Sequence, residues 1–334
     1  MSQSLKDADL TAELQAMAED EKTIEDCFYK ELEFGTGGLR GVIGAGTNRM
    51  NIYTVAKATQ GYADYLNEYF ASPSVAIAYD SRIKSERFAE VVAEVLAANG
   101  IQVYIYLELM PTPALSFAVR NLSCSGGIVI TASHNPAKYN GYKVYGADGC
   151  QITTKAAKEI LAKINAVDIF SGVKSMKFAK GIEQKRISYI GEETVEAFIR
   201  AVSAQSLCGD AACDKSVSIV YTPLNGTGLK CVLRCLKENG FTNISVVKEQ
   251  AEPNGHFPTC PYPNPEIREA LELGLKEAKR LGSELLLATD PDCDRVGIAV
   301  KSGDDFVLLS GNEVGMLLLD YICKRRLALK RMPK

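Results

Sequence analysis

The feature that most restricts the fold is a repeated alternation of short apolar runs with longer segments of helical periodicity. Three runs rich in β-branched residues indicate buried strands in the first part of the chain: SVAIAYD at 74–80, IQVYIY at 101–106 and GGIVI at 126–130. Helical segments such as Thr54–Tyr69 precede and separate them. Because strands that alternate with helices form largely parallel sheets, the pattern predicts an α/β fold with functional groups at the strand ends.

The same alternation begins again after a short polar segment. Ser206–Lys215 is small and polar and is a candidate linker, and the strand–turn–helix pattern SVSIVYTPLNGTG follows it at 216–228. The turn in this pattern is similar to a phosphate-binding turn, although an ordinary strand-to-helix turn fits the residues equally well. We therefore expect two α/β domains, one at 1–205 and one at 206–304.

Composition and charge restrict the kind of partner. The chain has 334 residues, of which 46% are hydrophobic and 24% charged, and this is typical of a globular protein. A net charge of −3 argues against nucleic acid or an anionic membrane as the main partner, and no apolar run is long enough to cross a bilayer. The ten cysteines include no CxxC pair, and the polar first residues do not resemble a signal peptide. We therefore expect free thiols and a cytoplasmic location, whereas the residues specify no oligomeric state.

A polar loop follows the GGIVI strand. It has the sequence TASHNPAKYNGYK at 131–143, in which Ser133 lies beside His134 and a proline then interrupts regular structure. Asn140–Gly141 is a typical tight-turn pair, and such a turn would bring Lys143 back toward Ser133. A hydroxyl at the end of a strand, with an imidazole and an ammonium beside it, indicates the handling of a phosphate group.

A second polar loop follows the apolar run LLLAT at 285–289. It carries Asp290, Asp292 and Asp294 at alternate positions, which point the same way in an extended backbone. Three carboxylates on one face repel each other unless a cation lies between them, and oxygen ligands favour Mg²⁺ before Ca²⁺. The loop is not an EF-hand, because Arg295 occupies the sixth position, where that loop requires glycine.

Together these motifs resemble the α-D-phosphohexomutases, the phosphoglucomutase/phosphomannomutase family. The motifs are TASHNP followed by NGYK, then DPDCDR, and the glycine-rich FGTGGLRG at 34–41. The longer run FGTGGLRGVIGAGTNRMN is most similar to the phosphoglucomutase-2-like branch, and the resemblance extends from about Glu31 onward. It implies two consecutive mixed-sheet α/β domains, the first and second of the four in the family, with residues 305–334 as the opening of the third. The GEESG-like and RxSGTEP-like loops of the third and fourth domains have no match here, so we expect an N-terminal half with little activity of its own.

The resemblance implies a phosphoryl carrier and a metal. Ser133 would carry a phosphoryl group and transfer it to a hexose phosphate, which gives a hexose 1,6-bisphosphate. This intermediate, which is also the activator, would turn over and return its other phosphoryl group to Ser133. One Mg²⁺ would be held by four oxygen donors: Ser133, Asp290, Asp292 and Asp294. Relatives often have glycine or alanine at the position of Cys293, so its thiol is a candidate point of oxidation in this loop.

Further residues would bind the substrate and move protons. The resemblance assigns substrate or phosphate binding to four side chains: Arg40, Asn135, Lys143 and Arg295. Lys143 matches the residue that acts as general acid or base in the family, His134 is the competing candidate, and Arg40 also counts among the catalytic residues. The implied partners are small hexose phosphates.

Several functions remain open from the sequence. The FGTGGLRG variant favours interconversion of glucose 1-phosphate and glucose 6-phosphate, and the alternatives within the family are phosphomannomutase, phosphopentomutase and glucose-1,6-bisphosphate synthase. A non-catalytic module that binds metal and phosphate is the alternative of another class. A Ser-His-Asp hydrolase is excluded, because Ser133 and His134 are neighbours in sequence and no GxSxG motif occurs.

Overall fold

The structure is a computed structural model that describes residues 7–208 and 213–333. Contacts between Cα atoms divide the chain into two compact units. The first unit contains the chain up to Ala132 together with Pro136–Thr194, and the second contains Ser133–Asn135 together with the chain from Val195 onward. The three residues Ser133–Asn135 therefore group with the second unit.

Twelve helices occur in the described residues, and their ends follow the residue types. Asn51 begins the third helix with a capping box to Thr54, and Gly282 ends the eleventh in the left-handed conformation. No helix in the described part of the chain is both long and apolar enough to span a membrane. The helices are α1 (Ala8–Ala16), α2 (Glu21–Phe28), α3 (Ile52–Tyr69), α4 (Ser85–Ala98), α5 (Thr112–Asn121), α6 (Thr154–Asn165), α7 (Phe178–Glu183), α8 (Glu192–Ser203), α9 (Gly228–Glu238), α10 (Lys248–Ala251), α11 (Arg268–Leu281) and α12 (Gly311–Ala328).

Eleven strands in the described residues form two sheets, one in each unit. Three short strands that lie at sheet edges, the first, the sixth and the eleventh, are not identified by the sequence analysis. The strands are β1 (Leu39–Val42), β2 (Ser74–Tyr79), β3 (Gln102–Tyr106), β4 (Gly126–Ile130), β5 (Tyr139–Gly146), β6 (Ile187–Ile190), β7 (Ile219–Thr222), β8 (Ile244–Val246), β9 (Leu285–Thr289), β10 (Val296–Ser302) and β11 (Asp305–Leu309).

The six-stranded sheet of the first unit has the order β1-β5-β4-β2-β3-β6. The ladders from β4 through β2 and β3 to β6 are parallel, whereas β4 pairs with β5 and β5 with β1 in antiparallel register. β4 is buried along its whole length, as its apolar sequence predicts. Burial of each large core side chain stabilises the unit by roughly 1.5–3 kcal/mol; examples are Ile77, Phe88, Leu96 and Ile128.

The five-stranded sheet of the second unit has the order β11-β10-β9-β7-β8. β7 pairs in parallel with β8 and β9, and the ladders from β9 to β10 and from β10 to β11 are antiparallel. Its core joins residues of the sheet to residues of α11: Val220, Leu271, Leu275 and Leu286. The prediction of two mixed-sheet α/β domains is confirmed.

The predicted tight turn at Asn140–Gly141 is wrong. Both residues lie inside β5, where they pair with Gly41 and Arg40 of β1, and the chain reverses earlier, within residues 133–138. A Cβ at Gly141 would lie 2.4 Å from the carbonyl oxygen of Thr131. Glycine is therefore needed here for a close approach of two backbone segments rather than for a turn.

The expectation that all thiols are free is wrong at one pair. Cys208 and Cys213 form a disulfide, with their Cα atoms 6.3 Å apart, and the other eight cysteines are free. This proximity depends on the path of the chain around the pair, and the spacing of cysteines in a sequence does not reveal that path. The predicted linker Ser206–Lys215 includes residues 209–212, which lie outside the described residues.

Candidate functional site

Ser133 lies in the loop that joins β4 to β5. Its backbone has a φ of 53°, in the left-handed region that few residues other than glycine adopt. The side chain is only 4% exposed, and its Oγ donates a hydrogen bond of 2.8 Å to Oδ2 of Asp290. Nδ1 of His134 lies 3.2 Å from the same Oγ. A buried hydroxyl with a carboxylate and an imidazole within hydrogen-bond distance is a suitable acceptor for a transferred group.

A buried arginine holds the far side of this loop. The side chain of Arg82 is fully buried, and Nη1 donates to the carbonyl oxygens of Pro136 at 3.0 Å and Tyr139 at 3.1 Å. Arg82 follows β2, the strand beside β4, so its side chain needs to cross only one strand spacing to reach the loop. The guanidinium therefore fixes both main-chain carbonyls at the point where the loop enters β5.

Asp80 provides the counter-charge for this arginine. Its Oδ2 lies 3.4 Å from Nε of Arg82. Its Oδ1 accepts hydrogen bonds from the main-chain N–H of Arg82 at 2.9 Å and from Oγ of Ser85 at 2.7 Å. Burial raises the pKa of Asp80, and the charge of Arg82 opposes that shift. Asn140 extends the network, because its Nδ2 donates to Oγ of Ser85 at 2.9 Å and to the carbonyl oxygen of Ile83 at 3.0 Å.

The three predicted metal-binding carboxylates converge at the end of β9. Asp290, Asp292 and Asp294 each offer an oxygen, and these oxygens all lie within 4.8 Å of one another. Asp290 and Asp292 are buried, and Asp294 is exposed. Oδ1 of Asp290 accepts from the N–H groups of Asp294 at 3.2 Å and Arg295 at 3.0 Å, which curls the loop around this carboxylate.

The electrostatics of this cluster favour a cation. Desolvation by burial raises the pKa of Asp290 to about 8, and the charge of Asp292 adds to the shift. Carboxylates that are held together against both burial and mutual repulsion are typical of a site that binds a hard metal ion. The donor set consists of oxygen atoms, so the residues present fit Mg²⁺.

Arg40 and Lys143 lie in the first unit on neighbouring strands. Arg40 is an exposed residue of β1, and Lys143 is a buried residue of β5. The glycine-rich segment before β1 runs close to β5, because a Cβ at Gly38 would lie 1.8 Å from the carbonyl oxygen of Tyr142. Gly38 also has a φ of +77°, so both its conformation and its surroundings require glycine.

The predicted site residues therefore divide between the two units. The second unit brings together the hydroxyl, the imidazole and the acidic loop: Ser133, His134, Asn135, Asp290, Asp292, Asp294 and Arg295. The first unit holds Arg40 and Lys143. The sequence analysis missed Arg82, although a polar DSR run directly after a buried strand is the same pattern that identified the two loops.

Comparison with protein families gives two adjacent matches. The model described as phosphoglucomutase/phosphomannomutase, alpha/beta/alpha domain I, matches residues 31–169, and the model for domain II of the same family matches residues 196–303. A phosphoglucomutase of Staphylococcus saprophyticus is 40% identical over 293 residues, which is 87% of this chain and 52% of the relative. A phosphoglucomutase of Staphylococcus aureus is 37% identical over 298 residues, which is 88% of this chain and 52% of the relative. The chain thus spans about half the length of these curated relatives.

Solved structures share the fold. A Thermus thermophilus protein that carries the provisional name phosphomannomutase superposes with a TM-score of 0.69 at 27% identity, over 83% of this chain and 58% of that one. A protein of the phosphoglucomutase/phosphomannomutase family from Burkholderia thailandensis gives the same TM-score of 0.69 at 22% identity, over 88% of this chain and 59% of that one. The second likeness, at its lower identity, concerns the fold alone.

Proposed function

The chain belongs to the phosphoglucomutase/phosphomannomutase family, and from this premise we propose that it carries the phosphoryl-transfer centre of a phosphoglucomutase. The reaction would interconvert glucose 1-phosphate and glucose 6-phosphate through a phosphoserine at Ser133 and a hexose 1,6-bisphosphate intermediate. The observation that carries the proposal is the 2.8 Å hydrogen bond from Oγ of Ser133 to Asp290, within a cluster of three carboxylates. A nucleophile beside a candidate Mg²⁺ site is the arrangement that phosphoryl transfer requires.

The residues that would hold the metal are the three carboxylates and the serine oxygen: Asp290, Asp292, Asp294 and Ser133. When bound, Mg²⁺ would neutralise negative charge on the transferring phosphoryl group. The protein's own contribution is to keep these oxygens close together before the substrate arrives. The N–H groups of Asp294 and Arg295 do this for Asp290, since both donate to its Oδ1.

Phosphorylation of the serine requires one bond to form and one to break. Oγ of Ser133 attacks phosphorus, the bond between phosphorus and the sugar oxygen breaks, and the hydroxyl proton passes to a base. Nδ1 of His134, 3.2 Å from Oγ, is within reach of that proton. Lys143 is the second candidate for general acid or base, on the ground of the family motif. In the other half-reaction the phosphoserine gives its phosphoryl group to the free hydroxyl of a hexose phosphate, the bond between phosphorus and Oγ of Ser133 breaks, and the bisphosphate that forms returns its other phosphoryl group to Ser133.

Positive and polar side chains would position the phosphates. We assign this role to Arg40, Asn135, Lys143 and Arg295, because guanidinium and ammonium groups bind phosphate through charge-assisted hydrogen bonds. The exposure of Arg40 and Arg295 supports the assignment, since both remain accessible to a ligand. Hexose 1,6-bisphosphate would act as the activator that first phosphorylates the serine.

The remaining proposals concern the whole chain. We propose domains at 1–205 and 206–304 and the opening of a third at 305–334, hexose phosphates as partners rather than nucleic acid or membrane, and a cytoplasmic location. The division of the described residues into two units and the consecutive family matches support the two domains. The net charge of −3 supports a partner that is neither nucleic acid nor an anionic membrane.

Intact-mass analysis tests the phosphoserine directly. The chain is incubated with glucose 1,6-bisphosphate and Mg²⁺, and we expect the mass of one phosphoryl group to be gained. Ser133→Ala should gain none, whereas Ser123→Ala should gain one. Ser123 is the matched control because it is also a serine with left-handed backbone, at a φ of 52°. Phosphorylation of Ser133→Ala, or its absence from the unsubstituted chain, would contradict the proposal.

A further inference from the structure

The turn of sequence TPLNGTG, residues 222–228, joins β7 to α9 and has no part in the proposed chemistry. Its closest contacts lead to the acidic loop. The N–H of Thr227 donates to the carbonyl oxygen of Pro291 at 2.8 Å, and Oγ1 of the same threonine donates to that oxygen at 3.0 Å. Pro291 lies between Asp290 and Asp292, the two buried carboxylates. One residue of the turn thus holds the acidic loop by two hydrogen bonds to a single carbonyl.

The hydroxyl of Thr227 does not make the hydrogen bond that is usual for a threonine at a helix N-terminus. Thr227 is the N-cap residue of α9, where a threonine side chain normally accepts a hydrogen bond from the first turn of its own helix. Here no side-chain capping bond forms, and the hydroxyl bonds to Pro291 instead. The helix therefore lacks a contribution of about 1 kcal/mol that such a cap usually provides. This indicates that the bond to the acidic loop is what the threonine supplies.

Gly226 gives independent evidence for the same contact. A Cβ at this position would lie 2.3 Å from Cα of Pro291 and 2.5 Å from its carbonyl oxygen. Its φ is outside the left-handed range, so backbone conformation does not require glycine there. Only the close approach to Pro291 explains the residue. The turn and the acidic loop are therefore in backbone contact, with no space for a side chain or a ligand between them at this point.

The other side of the turn is fixed to the segment that follows β8. The N–H of Asn225 donates to the carbonyl oxygen of Gln250 at 2.8 Å, and Nδ2 of Asn225 donates to the carbonyl oxygen of Glu252 at 2.8 Å. Thr222 donates to Oε1 of Gln250 at 2.7 Å. Leu224 and Asn225 both have left-handed backbone, at φ of 48° and 57°, a costly conformation that persists only where surrounding contacts enforce it. The turn is thus anchored before it reaches Pro291.

We propose that Thr227 and Gly226 are positioning residues that set the spacing of Asp290, Asp292 and Asp294 for the cation, and that the turn is not a phosphate-binding element. The inference rests on the proposed metal site. Thr227 and Gly226 would keep the mutually repelling carboxylates at the spacing that a cation needs. The acidic loop's own hydrogen bonds to Asp290 contribute to the same spacing.

Binding of Mn²⁺, a paramagnetic substitute for Mg²⁺, tests the proposal by electron paramagnetic resonance. We expect Thr227→Val to bind Mn²⁺ about fivefold more weakly, which corresponds to one lost hydrogen bond, and Thr227→Ser to bind like the unsubstituted chain. Thr194→Val is the matched control, because Thr194 is also a buried threonine and its Oγ1 has no hydrogen-bond partner. Its affinity for Mn²⁺ should not change. Gly226→Ala, which pushes the turn against Pro291, should weaken binding at least as much as Thr227→Val.

The outcomes separate this inference from the proposed function. If the unsubstituted chain binds no Mn²⁺, the metal site itself is wrong and the inference is lost with it. If that chain binds Mn²⁺ and Thr227→Val binds equally well, only the inference is overturned. A titration with inorganic phosphate tests whether the turn binds phosphate instead. Weaker phosphate binding by Thr227→Val, at unchanged Mn²⁺ affinity, would also overturn the inference. Circular dichroism without metal establishes that each variant is folded, and Gly226→Ala provides the same test should Thr227→Val fail to fold.

Discussion

The loop that carries Ser133 and the loop that carries the three aspartates occupy the same place in their sheets. Each follows a strand with a parallel neighbour, β4 or β9, and each leads into an antiparallel strand, β5 or β10. Each also contains one non-glycine residue with left-handed backbone, at a φ of 53° for Ser133 and 55° for Cys293. The same local architecture thus presents a serine hydroxyl in one case and carboxylates in the other.

The two loops are held in place by different forces. A fully buried ion pair between Arg82 and Asp80 holds the serine loop, whereas the aspartate loop is held mainly by main-chain groups and the hydroxyl of Thr227. A buried ion pair is costly to desolvate, and its loss leaves a charge without compensation. Neutral hydrogen bonds can be removed one at a time at about 1 kcal/mol each. Loss of the ion pair should therefore destabilise the serine loop in one large step, whereas loss of single hydrogen bonds should weaken the aspartate loop in small steps.

The largest effect is expected for Arg82→Met. This change leaves Asp80 buried without its counter-charge and should lower the free energy of unfolding by about 3–5 kcal/mol. Urea denaturation followed by circular dichroism measures the loss. Arg87→Met is the control: Arg87 forms ion pairs with Glu90 and Glu94 at the surface, and such pairs contribute under about 1 kcal/mol. Similar losses in the two variants would show that the buried pair has no special role in holding the serine loop.

A smaller effect is expected where the serine loop meets β5. Gly141→Ala places a methyl group 2.4 Å from the carbonyl oxygen of Thr131 and 2.9 Å from that of Leu39, so the strands must separate. Such overpacking costs about 1–3 kcal/mol. Gly315→Ala is the control, because a Cβ at this position within α12 meets nothing within 4 Å apart from the neighbouring backbone of its own helix. That change should be neutral or slightly stabilising. Equal stability of both variants in urea denaturation would contradict the close packing of this loop.

The aspartate loop should respond to pH. The pKa of Asp290 is raised to about 8 in the folded chain, chiefly by burial, from an ordinary value of 3.8. A raised pKa favours the protonated folded state, so this group's contribution to stability is complete at low pH and is lost as pH rises through about 8. Since a cation must displace that proton, Mg²⁺ affinity should rise by up to about tenfold per pH unit below pH 8.

Titration calorimetry between about pH 6 and pH 8 measures this dependence and the proton release that accompanies it. Asp305→Asn is the control: Asp305 is an exposed carboxylate whose pKa is lowered, chiefly by a hydrogen bond from Lys279, and its loss should leave the slope unchanged. A Mg²⁺ affinity that does not vary with pH would mean that Asp290 is already ionised in the folded chain.

The sequence predicts both loops but not what holds them. The apolar runs GGIVI and LLLAT are local patterns, so the strands and the polar residues that follow them can be predicted from neighbours alone. The contact of Arg82 with Tyr139 spans 57 positions, and that of Thr227 with Pro291 spans 64. Such pairings depend on which strands become neighbours, and no local pattern specifies this.

The wrong predictions have a similar cause. Asn140–Gly141 has the composition of a tight turn, yet it lies in a strand because the backbones of Thr131 and Leu39 approach Gly141 closely. Glycine thus serves two different needs, left-handed backbone and close approach, and residue type alone does not distinguish them. The family motifs, by contrast, predicted that Ser133 lies beside the three aspartates, and the structure places the serine hydroxyl 2.8 Å from Asp290.

The smallest effect compares the two left-handed residues themselves. Replacement by glycine relieves the backbone at either position, a gain of about 1 kcal/mol. Cys293 is half-buried, and the change also removes its thiol, which lies close to Gly228 and bonds to Thr289. The gain and the loss should therefore nearly cancel, and the unfolding free energy should change by under about 1 kcal/mol. Burial raises the pKa of this thiol, so Cys293 should also react slowly with iodoacetamide compared with the exposed Cys150, contrary to its expected sensitivity to oxidation.

At Ser133 the same replacement removes the hydroxyl that bonds to Asp290, so a similar stability should coincide with complete loss of phosphorylation. Urea denaturation and intact-mass analysis of Cys293→Gly and Ser133→Gly distinguish the two positions. If Cys293→Gly also loses phosphorylation, the left-handed residue of the aspartate loop takes part in the chemistry and the two loops are more alike than their contacts indicate.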